Sequence, residues 1–158
     1  MSSAGGGASP GIIVYTDGAC AGNPGPGGWA AIIIQDDREH VVSGAEPHTT
    51  NQRMELMAAI EGLAAVAPVA PDHRVHLHTD SAYVMNCFRD RWYERWERGG
   101  WLGTNRKPVT NRDLWERLIA ETRRHDVVWT KVKGHSGDPL NDRVDALARG
   151  AIATLARV

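Results

Sequence analysis

Apolar residues along this chain recur with two periods, one near two and one near 3.6, and the switches between them outline the elements. Ile12, Ile13, Val14 and Tyr15 form a short β-rich run ending at Thr16-Asp17, and Trp29 to Gln35 forms a second. Between them, Gly18 to Gly28 carries five glycines and two prolines, which predicts a turn. Asp36-Asp37 gives a tight turn, and His40 to Gly44 returns as the third strand of an antiparallel meander. Leu56, Met57, Ile60, Leu63 and Ala64 then fall at helical spacing, with Thr49, Thr50 and Asn51 as candidate N-caps and Pro68 and Pro71 as the stop. Val75 to Thr79 alternates as a half-buried strand, and Ser81 starts a helix that runs into a Trp-rich segment holding two short helices. Leu114, Leu118 and Ile119 mark a further helix, and Val127 to Val132 a fifth strand. Val144, Leu147, Ala148, Ala151, Ile152 and Leu155 mark a C-terminal helix.

The order β-β-β-α-β-α-α-α-β-α implies an α/β domain with a mixed sheet and helices on its faces. Gly25-Pro26-Gly27-Gly28-Trp29-Ala30 matches the loose dinucleotide-binding string, but a strand follows it, so no helix N-terminus awaits a pyrophosphate. Residues 1–10 are small and uncharged and read as a disordered lead-in to one domain spanning 11–158.

Composition narrows the function. With 158 residues, 42% of them hydrophobic, the chain can bury a core, yet it has no apolar run long enough for a membrane span and no signal-like start. A soluble, cytoplasmic protein is expected. Two cysteines, Cys20 and Cys87, are too few for a disulfide framework or a thiolate zinc site, which leaves oxygen ligands. The net charge of −1 hides an uneven distribution. Arg89 to Lys133 carries twelve Lys and Arg against seven Asp and Glu, together with five of the six tryptophans. A basic, aromatic segment beside an acidic remainder suits a protein that grips a phosphate backbone in one place and holds cations in another; a solvated helical face over core tryptophans is the plainer alternative.

Four acidic residues sit where burial makes them costly. Asp17 and Asp80 each follow a strand-ending threonine, and Glu55 and Asp145 each interrupt a largely apolar helical stretch. No lysine or arginine neighbours all four in sequence, so a divalent cation is the natural compensation, and Mg²⁺ favours such hard oxygen ligands with positions left open for water and phosphate. Removing the four from the count turns 18 basic and 19 acidic residues into 18 against 15, a surface of +3. His135, in the glycine-flanked loop Lys133-Gly134-His135-Ser136-Gly137, can move protons near neutral pH. Ser136 has no GxSxG elbow around it and is set aside as a nucleophile.

Together these strings resemble type I ribonuclease H: TDGACAGNPGPGGWA (16–30), TTNQRMELMAAIEGL (49–63), TDSAYV (79–84), GW followed by RKPVTNRDLW (100–115), and VKGHSGDPLNDRVDALA (132–148). The resemblance covers nearly all of the chain after Pro10. It implies a five-stranded mixed sheet with helices on both faces and a metal-dependent endonuclease; a monomer is expected because no extended apolar patch can be read. Such an enzyme cuts the RNA strand of RNA–DNA hybrids, leaving 5′-phosphate and 3′-hydroxyl ends. It further implies two Mg²⁺ ions, with Mn²⁺ a possible substitute. By the resemblance, Asp17 would bridge both ions, Glu55 and Asp80 would share the one that activates water, Asp145 would hold the other, and His135 would assist product release or proton transfer.

The same resemblance maps hybrid contacts onto Cys20, Asn23, Asn51 and Gln52 and a DNA-phosphate pocket onto Thr50. Cys20 can equally be a small packed side chain. The segment from Arg89 to Asn111 corresponds to the family's substrate handle, where Trp92, Trp96, Trp101, Arg106 and Lys107 are the candidate contacts. The tryptophans can stack on the strand or pack internally, with packing favoured for most. Departures from the family pattern are Ala82 and Asn86 where glutamines are common, and Glu94 and Glu97 within the handle. Two other classes compete, a non-catalytic hybrid-binding module and a related-fold DNA nuclease or integrase. The intact carboxylate set speaks against the first, and the handle and acid spacing against the second.

Overall fold

The computed structural model describes residues 11–67, 73–133 and 138–157. Five strands, β1 (Ile12–Cys20), β2 (Gly25–Gln35), β3 (Arg38–Thr49), β4 (Arg74–Thr79) and β5 (Asp126–Lys131), form one sheet in the order β3-β2-β1-β4-β5. The β1-β2-β3 side is antiparallel and the β1-β4-β5 side parallel. Five helices accompany it: α1 (Asn51–Ala64), α2 (Ala82–Arg89), α3 (Trp92–Arg98), α4 (Arg112–Thr122) and α5 (Pro139–Ala153), the last running into a 3₁₀ turn over Thr154–Arg157. None of the helices described is long and apolar enough to cross a membrane.

The expected element order holds, with corrections at the boundaries. The predicted turn over Gly18 to Gly28 shrinks to residues 21–24. The glycines on either side are strand residues, with Gly18 opposite Trp29, Ala19 opposite Gly28 and Cys20 opposite Gly27. They are small because helices press on the sheet there. A Cβ on Gly28 would run into the Ala148 carbonyl of α5, and one on Gly27 into Thr49 and Met54. The third strand extends well past His40 to Gly44 on both sides, because β2 pairs with it along nearly its whole length. The Asp36-Asp37 turn is a two-residue hairpin loop with both residues at positive φ, the geometry that matches strand twist. Helix α1 ends at Ala64, ahead of Pro68 and Pro71, which lie outside the described residues. Helix α5 begins at Pro139, so Asp145 lies in its second turn, past its start.

Two apolar clusters flank the sheet. Ile12, Val14, Ala31 and Ile33 face α1, α2 and α4, while Tyr15, Ala30 and Ile32 face Val144 and Ala148 of α5. The tryptophans of the basic segment belong to the larger cluster. Trp115 is fully buried, Trp96 lies against both Trp115 and Trp101, and Trp115 Nε1 donates to the Tyr83 hydroxyl at 3.0 Å. On the outer side of α5 a Cβ at Gly150 would meet open space. Gly150→Ala should therefore stabilise the protein by about 0.5–1 kcal/mol through helix propensity alone, read as a rise in calorimetric Tm.

Candidate active site

The site is built where the two central parallel strands approach their carboxyl ends. Pairing of Tyr15 with His78 brings Asp17 of β1 and Asp80, just beyond β4, to adjacent positions. By strand alternation Asp17 continues the row of Ile13 and Tyr15 toward α5, which supplies Asp145. Helix α1 supplies Glu55 from the opposite face. Its start is fixed by Thr50, whose Oγ1 accepts from Arg53 N, so Thr50 is the N-cap and Asn51 the first helical residue. Thr79 Oγ1 accepts from Ser81 N and Ser81 Oγ from Val84 N, which pins the backbone on both sides of Asp80.

Carboxylate oxygens of Asp17, Glu55 and Asp80 lie within 4.8 Å of one another. The Gly18 N–H donates to Asp17 Oδ1 at 2.9 Å and to Glu55 Oε1 at 2.7 Å, tying strand to helix. Asp145 lies beside Asp17 and pairs with Arg149 at 3.1 Å. These residues line one cleft of 680 Å³ together with Cys20, Asn51, Asn141 and Asp142. Asp17 is 4% exposed and Glu55 8%.

Burial, then the charge of Asp80 and the contact with Asp145, pushes the Asp17 carboxyl up to about 8. Burial and the charges of Asp17 and Asp80 likewise raise Glu55 well above the usual carboxylate range. Without added cations the cluster cannot hold all its negative charge, and Arg149 is the only basic side chain among the described residues lining the cleft. Hard oxygen donors, closely spaced, under-compensated and open to solvent on one side, fit a divalent cation. Asp17, Glu55 and Asp80 can hold one directly, with Asp145 beside Asp17.

Of the other described candidates from the sequence, Cys20 and Asn51 line this cleft and the rest do not. Cys20 is half-buried, its thiol 3.4 Å from the Gly25 carbonyl and 3.5 Å from that of Thr49. Asn51 N donates to Asn23 Oδ1 at 3.1 Å, joining the 21–24 turn to α1, and Gln52 is exposed on the same helix start. Arg106 and Lys107 are exposed in the loop between α3 and α4. Trp92 and Trp96 are half-buried, whereas Trp101 is 8% exposed, packed on Trp96 with the Arg112 guanidinium 5.1 Å from its ring centroid, so packing occupies it. Glu94 and Glu97 are engaged in ion pairs: Glu94 pairs with Arg91, and Glu97 ties α3 to Arg123, the C-cap of α4, at 2.8 Å. His135 and Ser136 lie outside the described residues.

Several site residues have no sequence signature of their own. Gly18 acts through its N–H. Asn141 and Arg149 stand one turn either side of Asp145, a spacing that could have flagged them. Asn141 is 3% exposed, and its Oδ1 has no hydrogen-bond partner among the described residues. Tyr15 donates its hydroxyl to Asp138 Oδ2 at 2.6 Å, and Asp138 in turn caps α5 by accepting from Leu140 N, so β1 holds the start of the helix that carries Asp145.

A mixed sheet that gathers carboxylates over its central strands gives an α/β domain with an acidic cluster able to hold a divalent cation. The sequence matches the RNase H family over residues 9–153, and the chain belongs to that family. It is 56% identical over 146 residues to the ribonuclease H of Moorella thermoacetica, covering 92% of this chain and 94% of that protein. It is 52% identical over 148 residues to the ribonuclease H of Phenylobacterium zucineum, with 94% of each covered. Among solved structures it is similar to LC9-RNase H1, a type 1 RNase H with the type 2 active-site motif. The TM-score is 0.80 at 30% identity, over 93% of this chain and 74% of that one.

Proposed function

We propose that this protein is a ribonuclease H, an endonuclease that hydrolyses the RNA strand of RNA–DNA hybrids, acting as a cytoplasmic monomer. The observation that carries this reading is the meeting of Asp17, Glu55 and Asp80 oxygens within 4.8 Å in an open cleft of a chain from this family. Asp17, Glu55, Asp80 and Asp145 would hold two Mg²⁺ ions, for which Mn²⁺ could substitute, and these would supply positive charge to activate water and to offset charge on the phosphodiester. The protein's own part is to position these groups. Gly18 N–H keeps Asp17 and Glu55 oxygens turned toward one point, and the capped starts of α1 and α5 fix their side chains against β1. His135 is assigned proton transfer or product release, leaving 5′-phosphate and 3′-hydroxyl ends.

Hybrid binding is assigned to Cys20, Asn23, Asn51 and Gln52 beside the cleft, reading 2′-hydroxyls and the shape of the duplex. Thr50 suits a DNA-strand phosphate. Its oxygen accepts from Arg53 N, which leaves the hydroxyl proton free to donate at a helix N-terminus. Arg106 and Lys107 extend this surface, and Trp92 and Trp96 present their partly exposed edges.

The reading is tested with an end-labelled hybrid beside the same sequence as duplex DNA and duplex RNA, with Mg²⁺ or with a chelator. Cutting confined to the RNA strand of the hybrid, and lost on chelation, is expected. Binding without any cutting in Mg²⁺ or Mn²⁺ would hand the protein to the binding-module class, and cutting of duplex DNA to the DNA-nuclease class.

A further inference from the structure

We propose that His73 and His125 form a separate metal site, a two-imidazole clip for Zn²⁺ at the end of the sheet away from the acidic cleft. It stands apart from the ribonuclease H reading, because it uses none of the cleft residues. His73 comes one residue before β4 and His125 one residue before β5, just ahead of the first ladder pair, Arg74 with Asp126. Those two residues pair at 3.0 Å, so the amino ends of β4 and β5 are already drawn together. Asp80 follows β4 at its other end, about 20 Å away at about 3.3 Å per strand residue.

His73 Nε2 lies 3.2 Å from His125 Nδ1, with the rings edge to face at 81°. Two imidazole nitrogens bound to one tetrahedral Zn²⁺ at about 2.0–2.1 Å stand about 3.3–3.4 Å apart, so the observed gap fits to within about 0.2 Å. Without metal the same gap is closed by a single N–H···N bond. Each neutral ring carries one proton and one lone pair, so moving the His73 proton to Nδ1 turns both facing nitrogens into ligands. His125 can offer only this nitrogen, since its Nε2 is buried. Burial, then His73 and Arg124, holds the His125 imidazole below its usual range, which keeps the lone pair available at neutral pH. Glu121, paired with Arg124 at 2.7 Å, is the carboxylate whose charge reaches this ring. Both rings are half-buried, which leaves the remaining positions of the ion to water. Donor chemistry separates this clip from the cleft: carboxylate oxygens suit Mg²⁺, whereas neutral imidazoles suit Zn²⁺. A bound ion would join residues far apart in sequence and stabilise the start of the parallel β4–β5 pair.

The test follows the imidazole signals of the full chain by NMR, with Mg²⁺ in excess throughout, as Zn²⁺ is added. His73 and His125 should shift together with one midpoint, and Mg²⁺ alone should move neither. His73→Gln should raise the His125 midpoint at least about tenfold, because one imidazole then holds the ion alone. His40→Gln, which removes an exposed imidazole from β3, should leave it unchanged. Zn²⁺ at a hundredfold above the midpoint should raise Tm by about 5–10 °C over Mg²⁺ alone in the unmodified protein, and by less than half of that in His73→Gln. Separate midpoints, a shift caused by Mg²⁺ alone, or an unaltered His125 midpoint in a folded His73→Gln variant overturns the proposal and leaves a hydrogen-bonded pair. In Mg²⁺ without Zn²⁺, His73→Gln should cleave hybrids as the unmodified protein does. Absence of cleavage in both counts against the ribonuclease reading, while the clip is still read from the spectra.

Discussion

Asp17→Asn is expected to reduce hybrid cleavage at least about a thousandfold while raising the stability of the metal-free protein. The loss in rate follows from position. Asp17 is the carboxylate at the centre of the set, beside Asp145, sharing the Gly18 N–H with Glu55, and close to Asp80. Amide substitution keeps the shape and removes the charge, and losing several kcal/mol of metal-derived stabilisation, about 4, corresponds to about three powers of ten in rate. Hybrid binding should survive, because Asn23, Asn51, Thr50 and the basic segment remain.

The gain in stability has the opposite cause. The Asp17 carboxyl rises to about 8 in the folded protein, whereas in the unfolded chain it keeps an ordinary value near 4. Between these limits the native state binds more protons than the unfolded state, so stability falls as pH rises from about 4 to about 8. Each unit in that window is worth about 1.4 kcal/mol, which sets a ceiling of roughly 6 kcal/mol, shared with Glu55. At pH 8 without divalent ions a gain of about 2 kcal/mol is expected for Asp17→Asn, or about 4–8 °C in Tm, vanishing near pH 4. Scanning calorimetry in chelator at the two pH values checks it. Equal Tm values at pH 8 would show that the cluster carries no electrostatic strain.

Legibility of this chain in its sequence was uneven for definite reasons. Glu55 and Asp145 stand out because each interrupts a largely apolar stretch, Asp17 and Asp80 because each follows a strand-ending threonine, and burial of such groups needs compensation. The structure brings all four into one cleft. Arg149, Asn141 and Gly18 did not stand out, since a polar residue on an amphipathic helix or a glycine after a strand has many ordinary explanations. Element order and helix positions follow from periodicity, but the stretch from Gly18 to Gly28 reads wrongly as one turn. Glycine marks either a turn or a place where another backbone comes close, and sequence alone does not separate the two. Here the second meaning governs most of the run. The sheet continues through it, and α1 and α5 settle on its glycines.

That close packing makes Gly18→Ala the second large effect. A Cβ at this position would lie 2.5 Å from Glu55 N, 2.5 Å from the Met54 carbonyl carbon and 2.8 Å from the Met54 oxygen. All three are backbone atoms of α1, so no side-chain rotation relieves the clash, and the helix must move away from β1. Overpacking of this kind costs about 1–3 kcal/mol, which for a chain of this size lowers Tm by about 2–12 °C. The functional loss exceeds what destabilisation alone would give. The atoms that clash belong to Glu55 itself and its neighbour, and the displacement stretches the 2.7 Å bond from Gly18 N to Glu55 Oε1. A shift of about 1 Å in a catalytic group can cost about a hundredfold in rate, so Gly18→Ala assayed well below its own Tm should retain about 1% of activity. Gly150→Ala, adding the same methyl where nothing lies within 4 Å, should keep full activity. Full activity in a folded Gly18→Ala variant would mean that the contact between α1 and β1 does not set the Asp17–Glu55 geometry.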